Sequence, residues 1–203
     1  MPTRQAVKDA LETKLQAMEA EGRLPDTITF SGNGEPTSHP NFEGIIDDTL
    51  ALRDRYAPNS QVSVLTNATH ILKDGVFHAL MRVDNPLLKL DTVNMDYIRL
   101  VDRPTSHYDL PTLIERMKAF NGRCIIQTMF MGGTWQNQSV DNTSDDFVLP
   151  WLEAVKAIQP KLVTIYTIDR ETPAKGLLKA SKARLDEIAK LIEATGIPTT
   201  VSY

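Results

Sequence analysis

Helical and strand-like apolar patterns alternate six times along this 203-residue chain, and that alternation constrains the fold more than any other feature. The first helical pattern places Val7, Leu11, Leu15 and Met18 at the spacing of an amphipathic helix. Helices are predicted over 2–24, 41–56, 73–82, 110–120, 145–159 and 181–195, and strands over 27–32, 61–67, 87–93, 123–131, 161–168 and 197–203. The connections 95–106 and 170–180 are predicted to be irregular, with Asn85-Pro86 breaking the third helix and Ser181 capping the last. Such strands pair in parallel through right-handed crossovers. The chain is therefore predicted to be an α/β protein, with a doubly wound sheet or an open barrel.

The composition favours one soluble domain over residues 1–203. Hydrophobic residues make up 41% of the chain, enough for a sizeable core, and the formal net charge of −4 gives no basic field for nucleic acid. No run approaches the roughly 20 apolar residues of a membrane span, and the N-terminus lacks the apolar core of a signal peptide. A cytoplasmic location and no membrane partner are expected.

The most informative stretch is FSGNGEPTSHPNF, which follows the first predicted strand. Glycines at 32 and 34 accept positive φ and let main-chain groups approach a ligand, and Glu35 adds a negative charge beside them. This combination suits a ligand with an ammonium group. A phosphate-binding loop would carry Lys and then Ser or Thr after the last glycine, where this chain has Glu35 and Pro36.

Polar residues also follow the other predicted strands. Because ligands of parallel α/β folds bind at the carboxyl ends of the strands, these residues predict a polar ligand site. The set comprises Gly34, Glu35, Thr66, Asn67, Lys89, Asp91, Gln127, Tyr166, Asp169 and Arg170. Each has a structural alternative, since Asn67 can form a turn and Asp91 can cap the next segment. No metal site is predicted, because the four histidines lack ligand spacing and the single cysteine, Cys124, is typical of a buried apolar position.

The stretch resembles the glycine-glycine-glutamate-proline segment of radical S-adenosylmethionine (radical SAM) enzymes, most closely the activating enzymes and related iron–sulfur oxidoreductases. The resemblance covers roughly residues 2–195 and places Asn33, Gly34, Glu35 and Pro36 on the segment that contacts the amino group of S-adenosylmethionine. It implies that Thr66 and Asn67 lie near the ribose or carboxylate of that cofactor. It implies further that Asp91, after Lys89 and Leu90, faces substrate or cofactor, with Gln127 and Arg170 as weaker cofactor-binding candidates.

The chain departs from this family in one respect that concerns its chemistry. The family holds a 4Fe-4S cluster on a CxxxCxxC loop after its first strand, and uses it to cleave S-adenosylmethionine to a 5′-deoxyadenosyl radical. This sequence contains only Cys124 and begins with a helical pattern. We therefore expect a partial TIM-type barrel missing its first strand, truncated at the N-terminus and perhaps at the C-terminus, with 27–32 as an unpaired edge. The parent would be a radical SAM enzyme with an electron donor for its cluster, and these residues alone are expected to be inactive.

Three interpretations remain open. The parent enzyme could act on a protein, a peptide or a small molecule, with tRNA less favoured by the acidic balance. A non-catalytic α/β module could use the same strand ends to bind a small polar metabolite without any cluster. A structural barrel used for interaction would bind no ligand. The glycine-, Asn- and Gln-rich segment 132–144 is predicted to be a loop, a candidate lid over an active site.

Overall fold

The computed structural model describes residues 1–32, 34–105, 107–169, 172 and 174–203. Its helices are α1 (Arg4–Ala20), α2 (Phe42–Tyr56), α3 (Asp74–Leu80), α4 (Met95–Tyr97), α5 (Leu110–Lys118), α6 (Asp145–Ile158) and α7 (Lys182–Glu193). Its strands are β1 (Thr27–Phe30), β2 (Gln61–Thr66), β3 (Asn85–Lys89), β4 (Ile125–Met129), β5 (Met131–Trp135), β6 (Gln138–Ser139), β7 (Leu162–Tyr166), β8 (Leu177–Lys179) and β9 (Thr199–Ser202). A 3-10 turn covers Pro36–Ser38 and a π-helical turn covers Ile98–Asp102.

Six strands form one sheet in the order β1-β2-β3-β4-β7-β9. Parallel registers align Thr27 with Gln61, Ile125 with Leu162, and Val163 with Thr199. The prediction of an α/β fold with an open, parallel sheet is confirmed. Within the described part of the chain, β1 pairs with β2 alone, as an edge strand does.

The chain divides into two compact units, Met1–Leu87 and Leu88–Tyr203. In the first, α1 packs on α2 through a cluster centred on Leu15, Leu52 and Tyr56. The Tyr56 hydroxyl donates to the Glu12 carboxylate at 2.8 Å. In the second, Tyr97, Met131 and Val140 form a further buried cluster.

Among the described residues, no helix has both the length and the apolar character needed to cross a bilayer.

The prediction that 132–144 is a structureless loop is wrong. Within it, β5 and β6 form a hairpin whose turn residues Gln136 and Asn137 both have positive φ, the geometry of a tight primed turn. Strand β8, inside the predicted loop 170–180, pairs with β5 and completes a second, three-stranded sheet. Gly133 allows this pairing, because a Cβ there would lie 2.1 Å from the carbonyl oxygen of Gly176. Gly133, which in the sequence is typical of a loop, therefore lies where two strands pack closely.

Two further boundaries differ from prediction. Strand β3 begins at Asn85, two residues before the expected start, and ends at Lys89, so that Asp91 lies beyond the strand. Asn85 and Pro86 were expected to break the preceding helix, whereas they start the strand, a position that proline tolerates. The segment 95–106 was expected to be irregular and instead contains α4 and the π-helical turn.

Candidate functional site

The turn after β1 is built around two glycines and a capped 3-10 turn. Gly32 and Gly34 have φ of +132° and +133°, a conformation that other residues rarely adopt, and the Gly34 N–H donates to the Gly32 carbonyl at 2.8 Å. Glu35 is the N-cap of the 3-10 turn, and Pro36 occupies its first position. The sequence Gly-Glu-Pro therefore fixes an abrupt reversal at the carboxyl end of β1.

The Glu35 carboxylate joins this turn to the end of β2. Its Oε1 accepts hydrogen bonds from the Thr37 N–H at 3.0 Å, the Thr37 hydroxyl at 2.5 Å and the Thr66 hydroxyl at 2.5 Å. Its Oε2 accepts one from the Asn67 N–H at 2.7 Å. We call this set, Glu35, Thr37, Thr66 and Asn67, the Glu35 clip. Three of its members were predicted as site residues, whereas Thr37 was recognised only as a flanking residue that fits the motif.

The clip holds a strained backbone position. Ala68 is fully buried with φ of +65°, an uncommon conformation for a residue with a Cβ. The Ala68 N–H donates to the Thr66 hydroxyl oxygen at 3.1 Å, and Asn67 Oδ1 accepts from the Thr69 N–H and hydroxyl in a short side-chain turn. Strain of this kind persists only where the surroundings enforce it, and it is typical of ligand sites.

A cavity of about 340 Å³ lies against this turn within the first unit. Gly32, Gly34, Glu35 and Pro36 form one side of it. A Cβ added at either glycine would have no heavy atom within 4 Å, so the space over the turn is open. The volume falls in the range of small-molecule sites, which begins at about 300 Å³.

The second unit places Asp91 in a buried ion pair. Lys89 Nζ lies 3.0 Å from Asp91 Oδ2, and the Met129 N–H donates to Asp91 Oδ1 at 2.8 Å. Burial alone would lower the pKa of Lys89, but the facing charge of Asp91 outweighs it, and the pKa lies above its ordinary value. Burial raises the pKa of the Asp91 carboxyl, and the Lys89 charge and the Met129 N–H oppose that rise. Both Asp91 oxygens therefore already have donors that favour the carboxylate.

Gln127 is half-buried in β4 and contributes through its backbone, whose carbonyl accepts from the Leu90 N–H at 3.1 Å. The Leu90 carbonyl accepts from the Thr128 hydroxyl and the Trp151 indole N–H, both at 2.8 Å. These bonds fix the backbone between Lys89 and Asp91. The bonds account for the fixed position of the Lys89–Asp91 pair, and they do not indicate which ligand, if any, the pair would contact.

Asn142 is a positioning residue that the sequence analysis missed. Its side chain is fully buried, accepts from the Met131 N–H at 2.9 Å, and donates to the carbonyls of Asp91 and Met129 at 3.2 and 2.9 Å. It thus joins the backbone at Asp91 to the junction between β4 and β5. In the sequence it stands between Asp141 and Thr143 and looks like an ordinary turn former.

The charge of Asp91 influences the pKa values of Asp102 and of three tyrosines, Tyr97, Tyr108 and Tyr166. The protein around the Asp102 carboxyl raises its pKa to about 6, Asp91 adds to the rise, and Lys89 opposes it. Burial, together with Asp102 and Asp91, raises the pKa of Tyr108 to about 12. The pKa values of Tyr97 and Tyr166 are raised as well, mainly by burial. The tyrosine hydroxyls therefore stay protonated at neutral pH and act as neutral hydrogen-bonding groups.

Two predicted cofactor-binding residues, Asn33 and Arg170, lie outside the described residues. Gly34, Glu35, Pro36, Thr66 and Asn67 come together in the first unit. Asp91 and Gln127 lie in the second unit. For all of these residues, the predicted contact with a cofactor stays a prediction.

Cys124 is fully buried, and burial raises the pKa of its thiol to about 12, so it is a poor metal ligand. The described residues contain no group of three or more His, Cys, Asp or Glu placed to hold a metal ion. The residues present therefore do not fit an iron–sulfur cluster.

Curated proteins give weak sequence matches, and no family model matches the chain. A protein named GTPase Obg from Brachyspira hyodysenteriae is 25% identical over 172 residues, covering 83% of this chain and 24% of that protein. A UPF0026 protein of Synechocystis sp. is 28% identical over 141 residues, covering 68% and 49%. A UPF0026 protein of Methanocaldococcus jannaschii is 26% identical, covering 82% and 48%. The chain spans about half the length of these UPF0026 relatives, and less of the first protein.

Solved structures share the fold at low sequence identity. A domain of pyruvate-formate lyase-activating enzyme from Bacteroides vulgatus has a TM-score of 0.63 at 13% identity, with 87% of this chain and 98% of that domain covered. Streptococcus suis SuiB, solved with S-adenosylmethionine bound, gives 0.68 at 17%, covering 97% and 43%. A radical SAM methyltransferase from Sphaerobacter thermophilus gives 0.69 at 21%, covering 98% and 56%.

Proposed function

From the premise that this chain has the fold of radical SAM enzymes, we propose that it is the major part of such an enzyme and binds S-adenosylmethionine. The parent enzyme would cleave that cofactor reductively to generate a radical, and these 203 residues alone would not catalyse the reaction. The substrate would be a protein, a peptide or a small molecule, and the parent would take its electron from a separate donor.

The observation that carries this proposal is the turn fixed by the Glu35 clip beside an open cavity. The clip uses three hydrogen bonds at Oε1 and one at Oε2. A carboxylate oxygen has two lone pairs, so Oε2 retains one position for a further donor. The ammonium group of S-adenosylmethionine is such a donor, and a charge-assisted bond of this kind is among the stronger ones.

The glycines explain why the backbone takes part. Gly34 lines the cavity with open space where its side chain would stand, so a ligand can reach the main chain there. Thr66 and Asn67 hold the far side of the same turn through Glu35. The role of these residues is to bind and orient the cofactor, which is the share of such chemistry that a protein contributes.

The missing cluster ligands limit the proposal to cofactor binding. With one buried cysteine, these residues do not fit the cluster that the family uses. We therefore propose that any cluster of the parent is held by residues outside this sequence, and we assign no step of cluster chemistry to residues of this chain.

Titration calorimetry with S-adenosylmethionine tests the proposal. We expect measurable binding and a weakening of roughly tenfold or more in Gly34→Ala, because the new methyl group occupies the surface that the ligand approaches and alanine rarely adopts the φ of +133° found there. Gly22→Ala is the matched control, since Gly22 also has positive φ and open space but lies after α1, away from the cavity. An equal loss of affinity in both variants, or no binding of S-adenosylmethionine by the unsubstituted chain, would contradict the proposal and favour the other interpretations.

A further inference from the structure

The second unit contains a separate apolar cavity of about 210 Å³. Its walls are side chains from the π-helical turn, the small sheet and the loop before β8: Leu100, Val101, Met131, Trp135, Val140, Ala174 and Leu177. Among the residues that the structure describes, one charged side chain, that of Arg103, also lines it. The cavity is partly open to solvent, and most of the described side chains that line it are apolar.

The backbone beside the cavity is also unusual. The Arg103 N–H donates to the Ile98 carbonyl at 2.9 Å, which closes the π-helical turn, and Arg103 has φ of +49°. π-Helical turns are uncommon and occur often at functional sites. This turn brings Leu100, Val101 and Arg103 to the same cavity.

The charge of Arg103 is not neutralised within the described part of the chain. Its sequence neighbour Asp102 interacts instead with Asp91 and Lys89, which are the charges that shift its pKa. Asp141, next to the wall residue Val140, accepts hydrogen bonds from the Thr143 N–H and hydroxyl at 2.8 and 2.7 Å. An apolar cavity with one exposed guanidinium has the chemistry for an apolar group that carries an anion.

We propose that this cavity binds a small amphiphilic carboxylate, with its branched or aromatic body among the apolar walls and its carboxylate on Arg103. The planar guanidinium suits a carboxylate because it can donate two parallel hydrogen bonds. The volume lies below the roughly 300 Å³ of sites for larger ligands and fits about eight to ten non-hydrogen atoms. The site lies wholly within the second unit and is independent of the proposed binding of S-adenosylmethionine.

NMR titration of the intact chain with 4-methylpentanoate, and with its neutral amide as the matched probe, tests this site. We expect the acid to shift the methyl signals of Val101, Val140 and Leu177 and to bind at least about tenfold more tightly than the amide. Arg103→Gln should reduce the affinity for the acid to that for the amide. Ala174→Phe, which fills the cavity from a loop, should abolish binding of both.

Arg99→Gln is the matched control, because Arg99 lies on the same turn, pairs with Asp96 at 3.0 Å and does not line the cavity. This variant should bind the acid with the affinity of the unsubstituted chain. Equal affinity for acid and amide, retention of acid binding in Arg103→Gln, or absence of any shift at these methyl groups would overturn the proposal. Shifts that follow protein concentration instead of ligand would show that a second copy covers the cavity, and would overturn it as well.

Discussion

The Glu35 clip makes a quantitative prediction about the turn at the end of β1. Glu35→Ala removes four hydrogen bonds to a charged group, each worth about 1.5–3 kcal/mol, or roughly 6–12 kcal/mol as a gross sum. Glu35 is half-buried and Asn67 is exposed, so water replaces much of this loss. We expect a net local destabilisation of about 2–3 kcal/mol.

Native-state hydrogen exchange is the suitable assay, because it reports local opening. A loss of about 2–3 kcal/mol corresponds to roughly 30- to 150-fold faster exchange at the amides of Asn67 and Ala68. Glu35→Gln should fall between, since one oxygen remains and an amide NH₂ replaces the other acceptor. Glu19→Ala, at an exposed carboxylate of α1, is the control and should leave both amides unchanged. A change below about threefold in Glu35→Ala would refute the reasoning.

Three other measurements test other parts of the account. Asn142→Leu leaves the Met131 N–H and two carbonyls buried without their partner, so chemical denaturation should show a loss of about 3–5 kcal/mol, and a loss below 1 kcal/mol would contradict the bridging role. The pKa of Asp102 is raised from 3.8 to about 6, so native protein holds a proton that the unfolded chain releases. Stability should therefore fall as pH rises from about 4 to about 6 and stay lowered above it, and Asp102→Asn should reduce this decline in denaturation measured across that range. After incubation with iron and sulfide, the chain should contain no stoichiometric iron by elemental analysis, and a bound cluster would contradict the assignment of cluster ligands to residues outside this sequence.

The fold was largely predictable because helical and strand periodicities are local signals. The spacing of Leu11 and Leu15 predicts α1, and Ser181 was correctly predicted to cap α7, where its hydroxyl oxygen accepts from the Arg184 N–H at 3.2 Å. The second sheet was missed because its cause is not local. Gly133 serves the close approach of another strand, and a glycine in sequence gives the same signal for a loop and for a close approach.

The candidate site was predictable only in part, for a related reason. Glu35, Thr66 and Asn67 stand at the ends of predicted strands, and the convergence of such ends in parallel α/β folds predicts that the three residues lie close together. The rule does not say what each side chain does. Glu35 accepts most of its hydrogen bonds from groups of the protein itself. The sequence around Asn142 does not distinguish this buried residue from an ordinary turn residue.

Chemical-shift mapping with S-adenosylmethionine tests the central claim most directly, because it reports both binding and place. Added S-adenosylmethionine should perturb the amides of Gly34, Glu35, Asn67 and Ala68 and leave the amide of Gly22 unaffected. Absence of perturbation at saturating ligand, or perturbation confined to residues away from the turn after β1, would contradict the claim that this turn binds the cofactor.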